Sequence, residues 1–259
     1  MKIATWNING IRSAQQQLLN FIAEYTPDIL GLQETKAHPD DLDFTLKLIP
    51  GYSVDFAWCK KNKGYSGTAI YYKNELKPDN FHTTIGIDHF DIEGRYTQLD
   101  FDNFSIINGY FPFGGGTEER LQYKLAFNEA VINKVEELTK NGRQVVIMGD
   151  INICHKPIDI FNPALFVNKS PFLPAERQWI SRLIKLGYTD SFRFFNNEPY
   201  QYSWWPYTDP ARVSGVGYRI DYILTPQILD SALVEAKILK NVYGSDHCPV
   251  IVELHPANL

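Results

Sequence analysis

No apolar run in this chain approaches the roughly 18 residues needed to span a bilayer, so no membrane partner is expected. The opening Met1-Lys2-Ile3 enters a strand-like run directly, without the apolar core of a secretion signal. Cysteine is scarce. Cys59, Cys154 and Cys248 are an odd number with no metal-type spacing, which speaks against a disulfide framework or a zinc cage and predicts reduced thiols in a cytoplasmic protein. Positive charge is short as well: 25 Lys and Arg against 30 Asp and Glu leave a net charge of −5. That argues against broad coating of nucleic acid but says nothing about a local basic face. One such cluster exists, Lys60-Lys61-Asn62-Lys63-Gly64-Tyr65, a Lys-rich turn suited to a backbone phosphate, with Lys63 and Tyr65 as its candidate contacts. Linkers, charge blocks and compositional shifts are missing, so residues 1–259 read as a single domain. There is no Gly-x-Ser-x-Gly elbow either, which turns the reading away from serine acyl transfer.

What is present is an ordinary globular composition, 44% apolar and 21% charged, in which strand-like runs alternate with helical ones. Ser13 and Gln16 make a capping-box pattern, and Leu18, Phe21, Ile22 and Tyr25 follow at helical spacing. Phe127, Val131, Val135 and Leu138 mark a second helix closed by Asn141-Gly142, and Trp179, Ile180, Leu183 and Ile184 a third closed near Gly187. Tyr96 to Phe101 and Tyr202 to Trp205 alternate, as half-buried antiparallel strands do. The pattern predicts one α/β domain with two mixed sheets and helices outside.

The most informative stretch is Val145-Val146-Ile147-Met148-Gly149-Asp150-Ile151-Asn152. A β-branched run stops at a glycine, followed by a carboxylate and, two residues on, an amide. On an extended backbone residues two apart leave on the same side, which would put Asp150 beside Asn152 at the rim of a sheet, where open α/β folds place their chemistry. Taken alone, the stretch fits a strand ending in turn residues equally well. Recurrence breaks the tie. Ile3 to Trp6 runs into Asn7 with Asn9 two further on, Ile29 to Leu32 into Gln33-Glu34, and Ile106-Ile107 into Asn108-Gly109-Tyr110. Asp221 stands inside Ile220 to Leu224, and Ser245-Asp246-His247 precedes the apolar strand Val250 to Val252.

Carboxylates, amides and one histidine suit phosphodiester hydrolysis. A hard carboxylate such as Glu34 suits Mg²⁺, which prefers oxygen ligands. The metal and a cationic His247 would neutralise developing charge while a carboxylate prepares the water. Asp246 precedes His247 directly and is poorly placed to pair with it, so Asp221 is the candidate that fixes the ring and keeps it protonated.

Several blocks resemble the exonuclease III family of apurinic/apyrimidinic (AP) endonucleases: Pro27 through Lys36, Lys63-Gly64-Tyr65-Ser66-Gly67, Phe90-Asp91-Ile92-Glu93-Gly94-Arg95, Gly149-Asp150-Ile151-Asn152, Phe172 through Arg177, Asp190-Ser191-Phe192-Arg193 and Ser245-Asp246-His247. They occur in order over essentially the whole chain. The tips alone would fit the wider endonuclease/exonuclease/phosphatase superfamily, including nucleases like DNase I, inositol phosphatases and sphingomyelinases. Gln33-Glu34-Thr35-Lys36 and Asp190-Ser191-Phe192-Arg193 resemble the DNA-repair branch. The resemblance implies a DNase I-like, four-layered α/β sandwich of two mixed, mostly antiparallel sheets flanked by helices. It implies a monomer that incises double-stranded DNA 5′ to abasic sites, uses Mg²⁺ with Mn²⁺ as the alternative ion, and has some 3′→5′ exonuclease activity.

By the same resemblance Glu34 is the principal metal ligand, with Asn9 and Asp246 nearby. Asp150 activates water and is oriented by Asn7. Asn152, Tyr110 and His247 contact the scissile phosphate, and Asp221 holds His247. Trp204, Tyr218 and Ile220 map to the pocket for a flipped-out, base-free sugar. Three departures stand out: Tyr218 where relatives commonly carry Trp or Leu, Phe113 where a polar residue often helps bind phosphate, and Asp209 in the loop Thr208-Asp209-Pro210-Ala211 that in relatives reaches DNA. The rival readings are a superfamily phosphodiesterase acting on RNA, an inositol phosphate or a phospholipid, and a noncatalytic protein that binds damaged DNA.

Overall fold

Runs of β-branched and aromatic residues, punctuated by Gly, Pro, Asp and Asn, form the strands. The computed structural model describes residues 1–209 and 212–255. Its strands are β1 (Lys2–Asn7), β2 (Ile29–Gln33), β3 (Tyr52–Ala57), β4 (Thr68–Lys73), β5 (Asn80–His82), β6 (Tyr96–Asp100), β7 (Phe104–Tyr110), β8 (Gln144–Asp150), β9 (Tyr188–Asp190), β10 (Asp221–Pro226), β11 (Leu233–Ile238) and β12 (Val250–Leu254). They build two six-stranded sheets, ordered β11-β12-β1-β2-β4-β3 and β5-β6-β7-β8-β10-β9. Each sheet has one parallel pair at its centre, β1 with β2 and β7 with β8. All other pairings are antiparallel.

The sheets pack face to face, with Ile3, Ile29 and Ile70 from one meeting Leu99, Ile106, Val146, Met148 and Ile223 from the other. The helix Gln15–Tyr25 covers the outside of the first sheet through Leu18, Phe21 and Ile22. Glu118–Lys140 and Pro174–Lys185 cover the second through Phe127, Val131, Trp179 and Ile180. The four layers are those expected.

Strand parity then positions the chemistry. Side chains alternate along a strand, so Ile3, Thr5 and Asn7 share the inner face of β1. Val146, Met148 and Asp150 share that of β8, and Ile106, Asn108 and Tyr110 that of β7. Each inner face is apolar at one end and polar at the other. Midway along, Gln33 Nε2 donates to Thr5 Oγ1 at 2.8 Å and to Asn108 Oδ1 at 2.6 Å, bridging the sheets. The polar ends of both sheets fall at one rim.

Several local expectations are corrected. Ser13 does not cap the first helix: its hydroxyl donates to the Gly10 carbonyl, and the helix begins at Gln15. The stretch β6 is buried along its whole length, because the other sheet covers one side and Phe90, Phe127 and their neighbours the other. Tyr202 to Trp205 forms no strand; Trp204 makes isolated antiparallel bridges to Tyr218 and His247. Asn152 lies beyond β8 with φ of 54°, so a left-handed turn, not strand alternation, brings it back to Asp150.

One glycine is required by close approach. Gly149 has φ of 140°, and a Cβ there would sit 2.0 Å from the Gly109 carbonyl oxygen. Without side chains β7 and β8 come together just before Tyr110 and Asp150, which are partners in register.

Candidate active site

Asp150 ends β8 between Tyr110 on β7 and Asp221 on β10, its partners in register. Across the inter-sheet space stands Asn7, the last residue of β1. Its Nδ2 donates to Asp150 Oδ2 at 2.9 Å and to Glu34 Oε1 at 3.0 Å, tying the two sheets' carboxylates together. Asn152 Nδ2 donates to Asp150 Oδ2 at 3.1 Å and to the Phe111 carbonyl at 3.0 Å, and Asn152 N donates to Asp150 Oδ1 at 3.0 Å. Burial raises the Asp150 pKa well above the ordinary carboxylate range, against the pull of nearby His247 and Asn7.

His247 arrives on the segment before β12. Its Nδ1 lies 2.9 Å from Asp221 Oδ2, and its Nε2 lies 3.9 Å from Asp150 Oδ2. Burial alone would strip its proton, yet Asp221, by charge and hydrogen bond, raises the pKa to about 10. The ring is therefore an imidazolium aimed at the Asp150 side. Ser203, unmarked in the sequence, anchors Asp221: its hydroxyl donates to Asp221 Oδ2 at 2.6 Å and accepts from the amides of Ile220 and Asp221.

Glu34 sits in a second polar nest. Tyr110 donates its hydroxyl to Glu34 Oε1 at 2.7 Å, and Lys36 Nζ lies 2.7 Å from Glu34 Oε2. Burial works against ionisation here, but hydrogen bonds from Lys36, Asn7 and Tyr110 outweigh it and lower the pKa. Lys36 also donates to Asn9 Oδ1, so an ammonium bridges two hard oxygen donors where a cation is favoured. Asn9 Nδ2 donates to Asp246 Oδ1 at 2.7 Å, and Trp204 Nε1 to Asp246 Oδ2 at 2.9 Å. Glu34 and the Asn9 amide oxygen thus fit a hard divalent ion. Another group with mutually close ligand atoms is Asp150, Asp221 and His247, where the ring Nδ1 is already engaged by Asp221 Oδ2.

Tyr110, expected at the phosphate, spends its hydroxyl on Glu34 and lies under the Arg95 guanidinium, 4.6 Å from its ring centroid. Arg95 Nη2 also donates to Tyr65 at 2.7 Å. Tyr65 and Lys63 line a cleft of about 380 Å³ with Arg12, Lys36 and Lys60. This acidic chain therefore concentrates positive charge beside Glu34. Trp204 stacks on Tyr218 at 4.8 Å and 10°, and Phe166, which the sequence did not single out, packs edge-on against Tyr218 at 5.5 Å. Ile220 is buried behind them with Cys154, Ile160 and Phe172. Trp205 is core, beside Tyr202 and Cys248. Phe113 is 47% exposed and its ring lies over Gly115. Asp209 turns away from solvent to accept from Val213 N, Ser214 N and Ser214 Oγ. Pro210 and Ala211 lie outside the described residues.

Behind the aromatic wall, Asp159 is shared by Arg193 Nη2 at 2.6 Å and Arg219 Nε at 2.8 Å, and Arg219 also pairs with Asp190 at 2.6 Å. Burial opposes its ionisation, but Arg219 and Arg193 hold the Asp159 pKa at about 2. A depressed pKa contributes stability above the unfolded value, lost as pH falls through the folded one. Asp159→Ala leaves two buried guanidiniums short of a partner and is expected to cost about 3–5 kcal/mol, read from urea unfolding at pH 7. A loss under about 1 kcal/mol would show that Asp190 and backbone carbonyls suffice.

Known proteins resemble the whole chain. An exodeoxyribonuclease from Bacillus subtilis is 36% identical over 253 residues, covering 96% of this chain and 98% of that protein. The DNA repair nuclease APEX1 of Danio rerio is 34% identical over 257 residues, covering 98% and 82%. The solved structure of an AP endonuclease from Archaeoglobus fulgidus superposes with a TM-score of 0.86 at 28% identity, covering 98% and 99%. The model of the endonuclease/exonuclease/phosphatase family matches residues 4–247, from inside β1 to the histidine held by Asp221, and the chain belongs to that family.

Proposed function

We propose that this protein is a metal-dependent DNA-repair phosphodiesterase that incises double-stranded DNA 5′ to abasic sites, leaving a 3′-hydroxyl and a 5′-deoxyribose phosphate. It also carries 3′→5′ exonuclease activity, and residues 1–259 act as one catalytic domain, a monomer in the cytoplasm. The observation that carries the reading is the meeting of Asp150, Asn7 and an imidazolium at one rim, beside a carboxylate-amide pair fit for a cation. The relatives are named for exonuclease and AP-site chemistry on DNA, which supports the substrate class. Among the described residues no helix is long and apolar enough to cross a membrane.

In the mechanism Asp150 accepts a proton from water while Asn7 holds its carboxylate in place. His247 donates a charge-assisted hydrogen bond to a non-bridging phosphate oxygen, its proton secured by Asp221. Asn152 shares its amide between Phe111 and Asp150 in the free protein. An incoming phosphate takes over one of these hydrogen bonds and so leaves Asp150 free for the water. Water oxygen bonds to phosphorus as its proton passes to Asp150, the bond to the 3′-oxygen breaks, and that oxygen takes a proton from solvent and leaves as a hydroxyl. Mg²⁺, held by Glu34 with Asn9 and Asp246 adjoining, would neutralise charge on the phosphate. Lys63 and Tyr65 take the strand beside the site, and Trp204, Tyr218 and Ile220 wall the pocket for the base-free sugar.

The test is cleavage of a duplex carrying one abasic analogue, with Mg²⁺, with Mn²⁺ and with chelator, beside an undamaged duplex. Incision at the lesion with either ion and none with chelator is expected. Metal-independent cutting, or none at all, would overturn the reading.

A further inference from the structure

Lys124 lies on the buried stripe of the helix Glu118–Lys140, three residues before Phe127 and seven before Val131. Its side chain has no solvent exposure, and neither does that of its partner Glu176, 3.0 Å away. The ammonium also donates to the main-chain carbonyl of Asn152. Glu176 is itself held at the start of the helix Pro174–Lys185, where Oε2 accepts from Leu173 N at 3.0 Å and Oε1 from the Ser170 hydroxyl. Gly114, next to Phe113, packs against the same Oε1: a Cβ there would come within 2.9 Å of it. The pair thus joins two outer helices to the loops on both flanks of the site.

A buried ion pair is a poor way to gain stability, since desolvation consumes most of the attraction and apolar side chains of similar volume serve as well. What the pair does supply is direction. Asn152 sits in the left-handed region, φ 54°, so nothing in ordinary strand geometry sets its orientation. Its carbonyl is gripped from below by Lys124, while its amide and N–H hold both oxygens of Asp150 from above.

We propose that Lys124, held by Glu176, is a positioning residue: it fixes the turn at Asn152 and through it the Asp150 carboxylate. The inference rests on the phosphodiesterase reading of the site. Lys124→Met is expected to lower kcat roughly 10- to 100-fold per folded molecule, as misplacement of a reacting group does, with KM within about 3-fold. Lys124→Arg should restore most of the rate. If the effect runs through the Asp150 carboxylate, the same substitution on an Asp150→Asn background should cost less than about 3-fold more, because coupled residues are not additive.

The double variant Lys124→Met/Glu176→Met leaves no unpaired buried charge, so it carries the test should Lys124→Met alone not fold. A folded double variant with wild-type kcat, or equal losses on both backgrounds, would overturn the proposal. Wild-type incision of the same duplex tests the functional reading separately. A readout without turnover is the ¹⁵N resonance of the Asn152 side-chain amide in the DNA-free protein. It should move in Lys124→Met and stay put in Lys134→Met on the outer face of the same helix; an unmoved signal in the first also overturns the proposal.

Discussion

Asp150→Asn should lower the rate of incision by about 10³- to 10⁴-fold, the upper range for loss of a general base, while affinity for an abasic duplex stays within about 3-fold of wild type. The amide has the volume of the carboxylate and keeps the fold around it, but it cannot accept a proton from water. Binding should survive because Asp150 is buried and the basic cleft around Lys36, Lys60 and Lys63 is untouched. Single-turnover cleavage and equilibrium binding separate the two quantities. Turnover within 10-fold of wild type would remove Asp150 from the role of base. The raised pKa adds a pH signature: the acid limb of kcat/KM should fall above the usual carboxylate range, since the ionised form is needed and burial makes it harder to reach.

Asp221→Asn should cost nearly as much, about 10³-fold, by the logic of a triad whose buried carboxylate is replaced by an amide. The loss should depend on pH in a definite direction. In the wild type Asp221 keeps His247 protonated up to about 10. Without that charge the largest opposition to burial is gone, and with only Asp150 and Asp246 left to favour the cation the imidazole loses its proton at lower pH than in the wild type. Rate should then drop as pH rises through neutrality, whereas the wild type stays active into the alkaline range. A kcat profile from pH 5.5 to 9.5 checks this. An unchanged alkaline limb would mean that the neutral ring suffices and that Asp221 acts only to orient it.

Much of the architecture was legible because hydrophobic period and strand tips are local signals. The three long helices, the two mixed sheets and the polar rim all follow from spacing within single segments. Tips at Asn7, Tyr110, Asp150 and Asp221 converge because parity puts them on facing inner surfaces, whereas Glu34, one residue past β2 with φ of 52°, is turned to the rim by left-handed backbone. The readings that failed depended on neighbours distant in the chain. Whether β6 is half or wholly buried depends on a second sheet, and whether Ser13 caps a helix depends on a carbonyl in the preceding turn. The Asn152 turn was misread as strand because Asn tolerates both conformations. Ser203, Lys36, Phe166 and Lys124 have roles that the sequence does not assign, for different reasons. Ser203 in a loop and Phe166 at the end of the one-turn helix Pro163–Phe166 carry little local signal, Lys36 stands in a block read only for its resemblance, and Lys124 is a charge on an apolar stripe.

The blocks between the tips find a physical role as well. Asp190 and Arg193 join Arg219 and Asp159 in the buried charge network behind Tyr218, and Glu93 pairs with Arg95 over Tyr110. They brace the working residues from behind and touch no reacting atom.

The pairing of β1 with β12 has a consequence for biosynthesis. Asn7 and Glu34 are made long before the strand that sits against β1 on its other edge, with His247 just ahead of it. Until Val250–Leu254 has left the ribosome and closed onto Lys2–Thr5, the nascent chain has an open sheet edge and no imidazolium at the rim. The histidine that faces Asp150 thus joins the rim only with the closing of the β1 edge, which couples completion of that sheet to completion of the site.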